Sequence, residues 1–173
     1  MILLNGRGLL GEQLKKDIVR KKAKDNSVSI YHTWQSVDKR EETQKLEFNK
    51  FKKYLKSSNK TKLFFISSVV QTQTWYTYYK HMSEAYLIQN SDGAVIRIPQ
   101  LAADNSFRKG TFYKLKRGAL KPYGEMFLST LEEASDQIIE IILEYSKSNL
   151  CRSFTTKGRS VDAKLVTDLM KIS

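Results

Sequence analysis

The chain opens on apolar Ile2-Leu3-Leu4, breaks at Asn5 and Gly6, and resumes with Leu10, Leu14 and Ile18 at helical i, i+4 spacing. That pattern predicts a strand, a glycine turn and a helix with one apolar face. Val28 to Trp34 alternates in part and is rich in β-branched and aromatic types, which predicts a second strand. Phe48, Phe51 and Leu55 then share one face of a helix predicted over Arg40 to Lys56. Leu63-Phe64-Phe65-Ile66 is a short unbroken apolar run closed by Ser67 and Ser68, the pattern of a strand covered on both faces. A helix from about Tyr76 to Asn90 follows. The turn Ser91-Asp92-Gly93 leads into the strand Ala94-Val95-Ile96-Arg97-Ile98, which Pro99 stops.

From Gln100 to Leu128 no period holds; Gly110, Gly118, Pro122 and Gly124 punctuate basic and aromatic residues, so this stretch reads as irregular. Thr130 and Glu133 stand at capping-box spacing ahead of Ala134, Ile138, Ile141, Ile142 and Tyr145, which predicts an amphipathic helix. A last helix is predicted over Val161 to Lys171. Strands separated by helices imply an α/β fold, a Rossmann-like parallel sheet flanked by helices, with right-handed crossovers and a ligand beyond the carboxyl ends of the strands. Residues 1–100 carry that core. Residues 101–173 supply a loop-rich portion and C-terminal helices within the same compact unit.

The first turn, Gly6-Arg7-Gly8-Leu9-Leu10-Gly11, has the G-x-G-x-x-G spacing directly after a strand and at the start of a helix. The first glycine permits the tight turn, the second lets the backbone approach a pyrophosphate, and the third lets the helix pack on the strand. The helix N-terminus supplies free N–H groups to the phosphates. This is the context that a dinucleotide fingerprint requires. No Asp or Glu closes the second strand, where one would hold an adenine-ribose hydroxyl; His32 and Trp34 stand there instead. Arg7 can meet a 2′-phosphate, so the reading is NADP or NAD, with a lean to NADP.

Charge and composition narrow the classes. Lys15, Lys16, Arg20, Lys21, Lys22 and Lys24 late in the first helix, and Lys50, Lys52, Lys53 and Lys56 in the next, account for much of the formal charge of +12. Cations there complement the helix dipole, and the same balance favours an anionic partner. No apolar run approaches the roughly 20 residues that span a bilayer. The expectation is therefore no membrane span and a cytoplasmic protein. Cys151 is the single cysteine, and with His32 and His81 the only histidines there is no cluster spaced for a metal.

Tyr76 and Lys80 lie one helical turn apart on one face. A phenol with a pKa near 10 exchanges a proton near neutrality only if a cation beside it stabilises the phenolate. A surface helix explains the spacing equally well on its own. The order of pieces along the chain, however, resembles the short-chain dehydrogenase/reductase superfamily, and most closely its extended branch of sugar-nucleotide epimerases, dehydratases and 4-ketoreductases. The pieces are Ile2 to Gly11, Ile30-Tyr31-His32, Glu47-Phe48-Asn49, Phe64-Phe65-Ile66-Ser67-Ser68, Tyr76 to Lys80 with Glu84, and Val95-Ile96-Arg97-Ile98-Pro99.

That resemblance implies roles. Tyr76 would be the acid/base, Lys80 its pKa-lowering and ribose-binding partner, and Ser67 or Ser68 the hydroxyl that orients the substrate oxygen. Asn49 would support the lysine through water, His32 would stand on the nicotinamide side, and Pro99 would mark the loop closing over the nicotinamide. Arg108, within the basic stretch of Lys109, Lys114, Lys116 and Arg117, would meet substrate phosphates. The substrate would be a sugar nucleotide or a similar phosphate-bearing small molecule. A homodimer would form through Phe48, Phe51 and Tyr54 with Tyr78, Tyr79, Met82 and Tyr86.

The chain departs from that family in two places. Between the first helix and Val28 a strand-helix-strand portion that binds adenosine is missing, and only eight or nine residues separate the serine pair from Tyr76. Both losses suit an alternative, a catalytically inactive Rossmann-like binding or regulatory subunit. A nucleic-acid binder is a third class, motivated by the charge and the basic-aromatic stretch Arg108 to Tyr123, and disfavoured because no recognised binding motif appears and the cations are spread over several helices.

Overall fold

The computed structural model describes residues 2–6, 8–21, 28–34, 38–58, 62–70, 73–102, 110–119, 121, 124–145 and 152–172. Strand β1 (Leu3–Gly6) leads through α1 (Leu9–Arg20) to β2 (Val28–His32), and α2 (Glu41–Ser57) leads to β3 (Lys62–Ser68). Helix α3 (Trp75–Asn90) follows, then β4 (Ala94–Ile98) and the short β5 (Gln100–Ala102). The remainder comprises α4 (Gly110–Lys116), β6 (Glu125–Thr130), α5 (Leu131–Tyr145), β7 (Ser153–Thr155), β8 (Arg159–Asp162) and α6 (Ala163–Ile172). The capping box forms as its spacing requires: Thr130 N–H donates to Glu133 Oε2 at 3.1 Å, and Glu133 N–H donates to Thr130 Oγ1 at 3.1 Å.

Five strands make one sheet in the order β1-β2-β3-β4-β7, and every pairing in it is parallel. The expected βα alternation and parallel sheet are therefore present. Alternate side chains sort to two cores, as the two-residue period of a strand demands. Ile30, Phe64, Ile66 and Ile96 pack with Leu10, Leu14 and Ile18 of α1 and with Ile138 and Ile142 of α5. Tyr31, Leu63, Phe65 and Val95 point the other way, against Phe51 and Leu55 of α2 and Leu87 of α3. Tyr31 meets Phe51 edge-on with ring centroids 5.1 Å apart, and Phe51 meets Phe65 at 4.8 Å.

This sorting corrects the expectation that all crossovers are right-handed. The steps β1-α1-β2 and β2-α2-β3 advance in the same direction across the sheet, yet α1 and α2 cover opposite faces. Two such steps have opposite hands. With β2-α2-β3 taking the usual right hand, β1-α1-β2 is left-handed. The cause lies in what connects them. Leu10, Leu14 and Ile18 hold α1 against α5, and only residues 21–27 separate α1 from β2 along the chain.

The stretch Gln100 to Leu128, expected to be irregular, holds β5, α4 and β6 instead. β5 pairs parallel with β6 and β6 pairs antiparallel with β8, giving a three-stranded second sheet. Phe112 and Leu115 of α4 form its small core with Met126 and Leu128. Elements this short carry too few turns to register as a period. No helix among the described residues is long and apolar enough to cross a membrane.

Candidate functional site

The three glycines of the first turn do three different things. Gly8, at the start of α1, has φ +83° and ψ −174°, a conformation open essentially to glycine, and a Cβ there would meet nothing within 4 Å. Its surroundings are free for a ligand to approach the backbone. A Cβ on Gly11 would stand 3.0 Å from the Gly6 carbonyl carbon and 3.2 Å from its oxygen, so this glycine lets the helix close on the strand end. A Cβ on Gly6 would lie 3.2 Å from His32 Cβ, on the neighbouring strand. No side chain caps α1, which leaves its first-turn N–H groups to a ligand or water. Leu10 is buried in the core, so it could face a phosphate only through the backbone, and Leu9 is half-buried. Arg7 lies outside the described residues.

Register brings the next residues together. Gly6 pairs with His32, Ser67 with Arg97 and Ser68 with Ile98, all at the carboxyl ends of adjacent strands. Ser67 shares the sheet face of Phe65 and α3, while Ser68 points to the α1 and α5 face. Helix α3 begins beside them because Thr74 caps it: Thr77 N–H donates to Thr74 Oγ1 at 3.2 Å and Thr74 N–H donates to Thr77 Oγ1 at 3.0 Å. Tyr76 thus falls in the first turn and Lys80 in the second.

Lys80 is buried, and its Nζ donates to the Ile66 carbonyl oxygen at 2.8 Å. Its ammonium lies 5.1 Å from the ring centre of Phe65, 5.5 Å from that of Trp34 and 5.7 Å from that of Tyr76. Three aromatic faces and one carbonyl therefore enclose the cation. Burial pushes its pKa down to about 8, against which Glu84 acts in the opposite sense. Burial raises the Tyr76 phenol to about 12, and burial followed by the Lys80 charge lowers His32 to about 4. At neutral pH the phenol keeps its proton and the imidazole is uncharged. Ser67 is 2% exposed, and its Oγ has no hydrogen-bond partner among the described residues. Ser68 Oγ, by contrast, accepts from Val70 N–H at 3.3 Å.

The remaining expectations divide. Pro99 is buried between β4 and β5, close to where a Cβ on Gly158 would come within 2.8 Å of its Cγ. Arg108 and Lys109 lie outside the described residues. Asn49 is exposed on α2, whereas the buried polar residues of that helix are Gln44 and Glu47. Gln44 Oε1 accepts from Trp34 Nε1 at 2.8 Å, and its Nε2 donates to the Asp38 carbonyl, so it fixes one wall of the lysine enclosure. Its signal was available in the sequence, seven residues before Phe51 on the apolar face. Of the aromatic helix faces, Phe51 and Tyr79 belong to the interior, while Tyr78 and Met82 are exposed.

Below the serine pair, Glu84 is buried and grips Arg97: Arg97 Nη2 donates to one carboxylate oxygen at 2.5 Å and Nε to the other at 3.3 Å. Arg97 Nη1 also donates to Ser153 Oγ at 2.9 Å. The pair lines a cavity of about 720 Å³ with Ser68, Val70 and His81.

No protein-family model matches the sequence, and no curated protein matches it. Solved structures do. A UDP-N-acetylglucosamine 4-epimerase from Bacillus cereus aligns over 99% of this chain and 83% of its own at 10% identity, with a TM-score of 0.68. A dTDP-glucose 4,6-dehydratase from Bacillus anthracis, in complex with NAD, aligns over 98% and 79% at 10% identity and a TM-score of 0.68. An L-threonine dehydrogenase from Phytophthora infestans aligns over 99% and 81% at 11% identity and a TM-score of 0.70. The chain has the Rossmann-like fold of this class of structures, which includes sugar-nucleotide epimerases and dehydratases. At these identities the likeness is one of fold.

Proposed function

We propose that the chain binds a nicotinamide cofactor, NAD or NADP, at the carboxyl ends of β1 to β3 and handles a proton on a sugar nucleotide or a similar phosphate-bearing substrate. The observation that carries this reading is the placement of Lys80: its ammonium is held at the end of β3 by Ile66, one turn from Tyr76 and beside His32, the strand partner of Gly6. Backbone N–H groups from Gly8 to Gly11 would hold the pyrophosphate. Lys80 has two further donors for a ribose hydroxyl. His32 and Pro99 would flank the nicotinamide, and the free Ser67 Oγ would orient the substrate oxygen. Arg108 would meet the substrate phosphate.

The bound nicotinamide would supply or accept hydride. Tyr76 moves the proton at its Oη, and because burial raises the phenol to about 12 its resting form is the proton donor. That favours the reductive direction, in which a substrate carbonyl oxygen receives the proton. The test is titration of NADH and NADPH against the purified chain by fluorescence and calorimetry, with Tyr76→Phe compared in a turnover assay. Saturable binding of at least one, with turnover lost in the variant, is expected. No binding of either at millimolar concentration overturns the reading. The same reading includes a homodimer through the exposed Tyr78 and Met82 of α3, for which Met82→Lys should convert a dimer to a monomer in sedimentation equilibrium.

A second reading, an inactive binding subunit, draws on the position of β1 at the sheet edge. A stable stoichiometric complex with a full-length homologue, formed without cofactor, would favour it.

A further inference from the structure

We infer that the ligand of this site is the nicotinamide mononucleotide half of the cofactor, and that an adenosine half, when present, adds neither affinity nor a choice between a 2′-hydroxyl and a 2′-phosphate. The inference rests on the nicotinamide reading above and narrows it to a ligand class.

In a doubly wound sheet each half of a dinucleotide lies on its own set of strands, across the crevice where the strand order reverses. Among the described residues the order of this sheet does not reverse. β1 stands at one end of the order and, among the described residues, pairs with β2 alone. Leu3, whose side chain points to the face that α2 and α3 cover further along the sheet, is 51% exposed there. A strand-helix-strand unit takes about 30 residues, whereas residues 22–27 are all that lie between Lys21 and β2. The hand of β1-α1-β2 says the same thing geometrically: α1 stays on its face, and the chain goes straight to the nicotinamide-side strands.

What the site keeps is equally specific. Gly8 leaves an open approach to the backbone N–H groups at the start of α1, where the cofactor's phosphates would sit. On the other side of the turn stand His32, the Lys80 ammonium and the unpartnered Ser67 Oγ, polar groups suited to a ribose and a carboxamide. Beyond the phosphates, recognition is thus built for one ribose and one nicotinamide ring. On the far side of β1 no described residue provides a wall for an adenine.

The experiment is calorimetry on the whole chain with reduced nicotinamide mononucleotide, NADH, NADPH and ADP as separate titrants. The three nicotinamide ligands are expected to bind with dissociation constants within about tenfold of one another, and ADP to bind more than about tenfold more weakly than NADH. Gly8→Ala should weaken the mononucleotide and NADH by the same factor. If NADH or NADPH binds more than about tenfold tighter than the mononucleotide, or ADP matches NADH, the inference is overturned while the cofactor reading stands. If none of the nicotinamide ligands binds, both fall.

Discussion

The Nζ of Lys80 donates a 2.8 Å hydrogen bond to the carbonyl oxygen of Ile66, joining the second turn of α3 to the end of β3. The bond crosses an otherwise apolar space bounded by Phe65, Trp34 and Tyr76. A charge in such a place costs stability, and the native chain relieves that cost by releasing the proton early.

The relief has a sign and a window. Native Lys80 loses its proton at about 8, against an ordinary value of 10.5, so between those values the unfolded chain binds more protons than the native one. Stability therefore rises with pH across that range, by at most about 1.4 kcal/mol per pH unit. Urea unfolding at pH 8, 9 and 10 should show the rise in the native sequence and its loss in Lys80→Met. A flat profile in the native sequence would contradict the buried amine. The raised Tyr76 phenol turns the trend downward above pH 10, which fixes the upper limit of the measurement.

His32 gives the acid limb. Its imidazole takes a proton at about 4 in the folded chain rather than at 6.5, so stability contributed by the neutral ring is lost as pH falls through that interval. Its ring-proton resonance followed by NMR should titrate with a midpoint near 4. A midpoint near 6.5 would mean that the ring is solvated and not held between Gly6 and Lys80.

Gly8 and Gly11 separate folding from binding. Gly11→Ala forces a Cβ to 3.0 Å from the Gly6 carbonyl carbon, an overpacking cost of about 1–3 kcal/mol only partly offset by better helix propensity. Gly8→Ala has room for its methyl but strains a backbone at φ +83°, at a cost of about 1–3 kcal/mol. Thermal unfolding should register both. Only Gly8→Ala places a methyl in the open approach to the N–H groups, so nucleotide affinity per folded molecule should fall more in it than in Gly11→Ala.

The Glu84–Arg97 pair predicts an asymmetry. Glu84 is 8% exposed at its side chain and Arg97 36%, so removing the arginine strands a buried carboxylate. Arg97→Met should cost about 1–3 kcal/mol, the range for leaving a hydrogen-bonded charge unpaired where solvent still reaches one side of the pair. The double replacement Glu84→Gln with Arg97→Met should recover part of that loss. Denaturant midpoints for the four members of the cycle decide it, and strict additivity would show the pair to be uncoupled.

Much of this architecture could be read from the residues. The runs at Ile2 to Leu4 and Leu63 to Ile66, and the helical spacing of Leu10, Leu14 and Ile18, are local patterns, and local patterns report elements directly. So is the glycine spacing, in which Gly8 takes the positive φ and Gly11 the close approach to Gly6. Strand order and crossover hand are different in kind, because they depend on which face of the sheet a helix prefers among distant partners such as Ile138 and Ile142. The enclosure of Lys80 was hidden for a related reason: Trp34 just past β2, Phe65 of β3 and Tyr76 of α3 are far apart in the chain, and nothing in their spacing says that they converge. Glu84 and Arg97 were visible as pieces of a resemblance, but their bidentate grip needed α3 laid against β4.

The left-handed entry into the sheet also bears on the order in which the molecule assembles. β2-α2-β3-α3-β4 is an uninterrupted series of neighbouring, one-handed steps, and its contacts are close in sequence, so it can condense without β1. β1 has one hydrogen-bonded neighbour among the described residues, and α1 is anchored to α5, more than a hundred residues away along the chain. The glycine turn is therefore expected to join last and open first. Native-state hydrogen exchange should find the β1 amides released in a partial opening that leaves the amides of β3 protected; a nucleotide bound at this turn, as proposed above, would then be the clasp that seats the first strand.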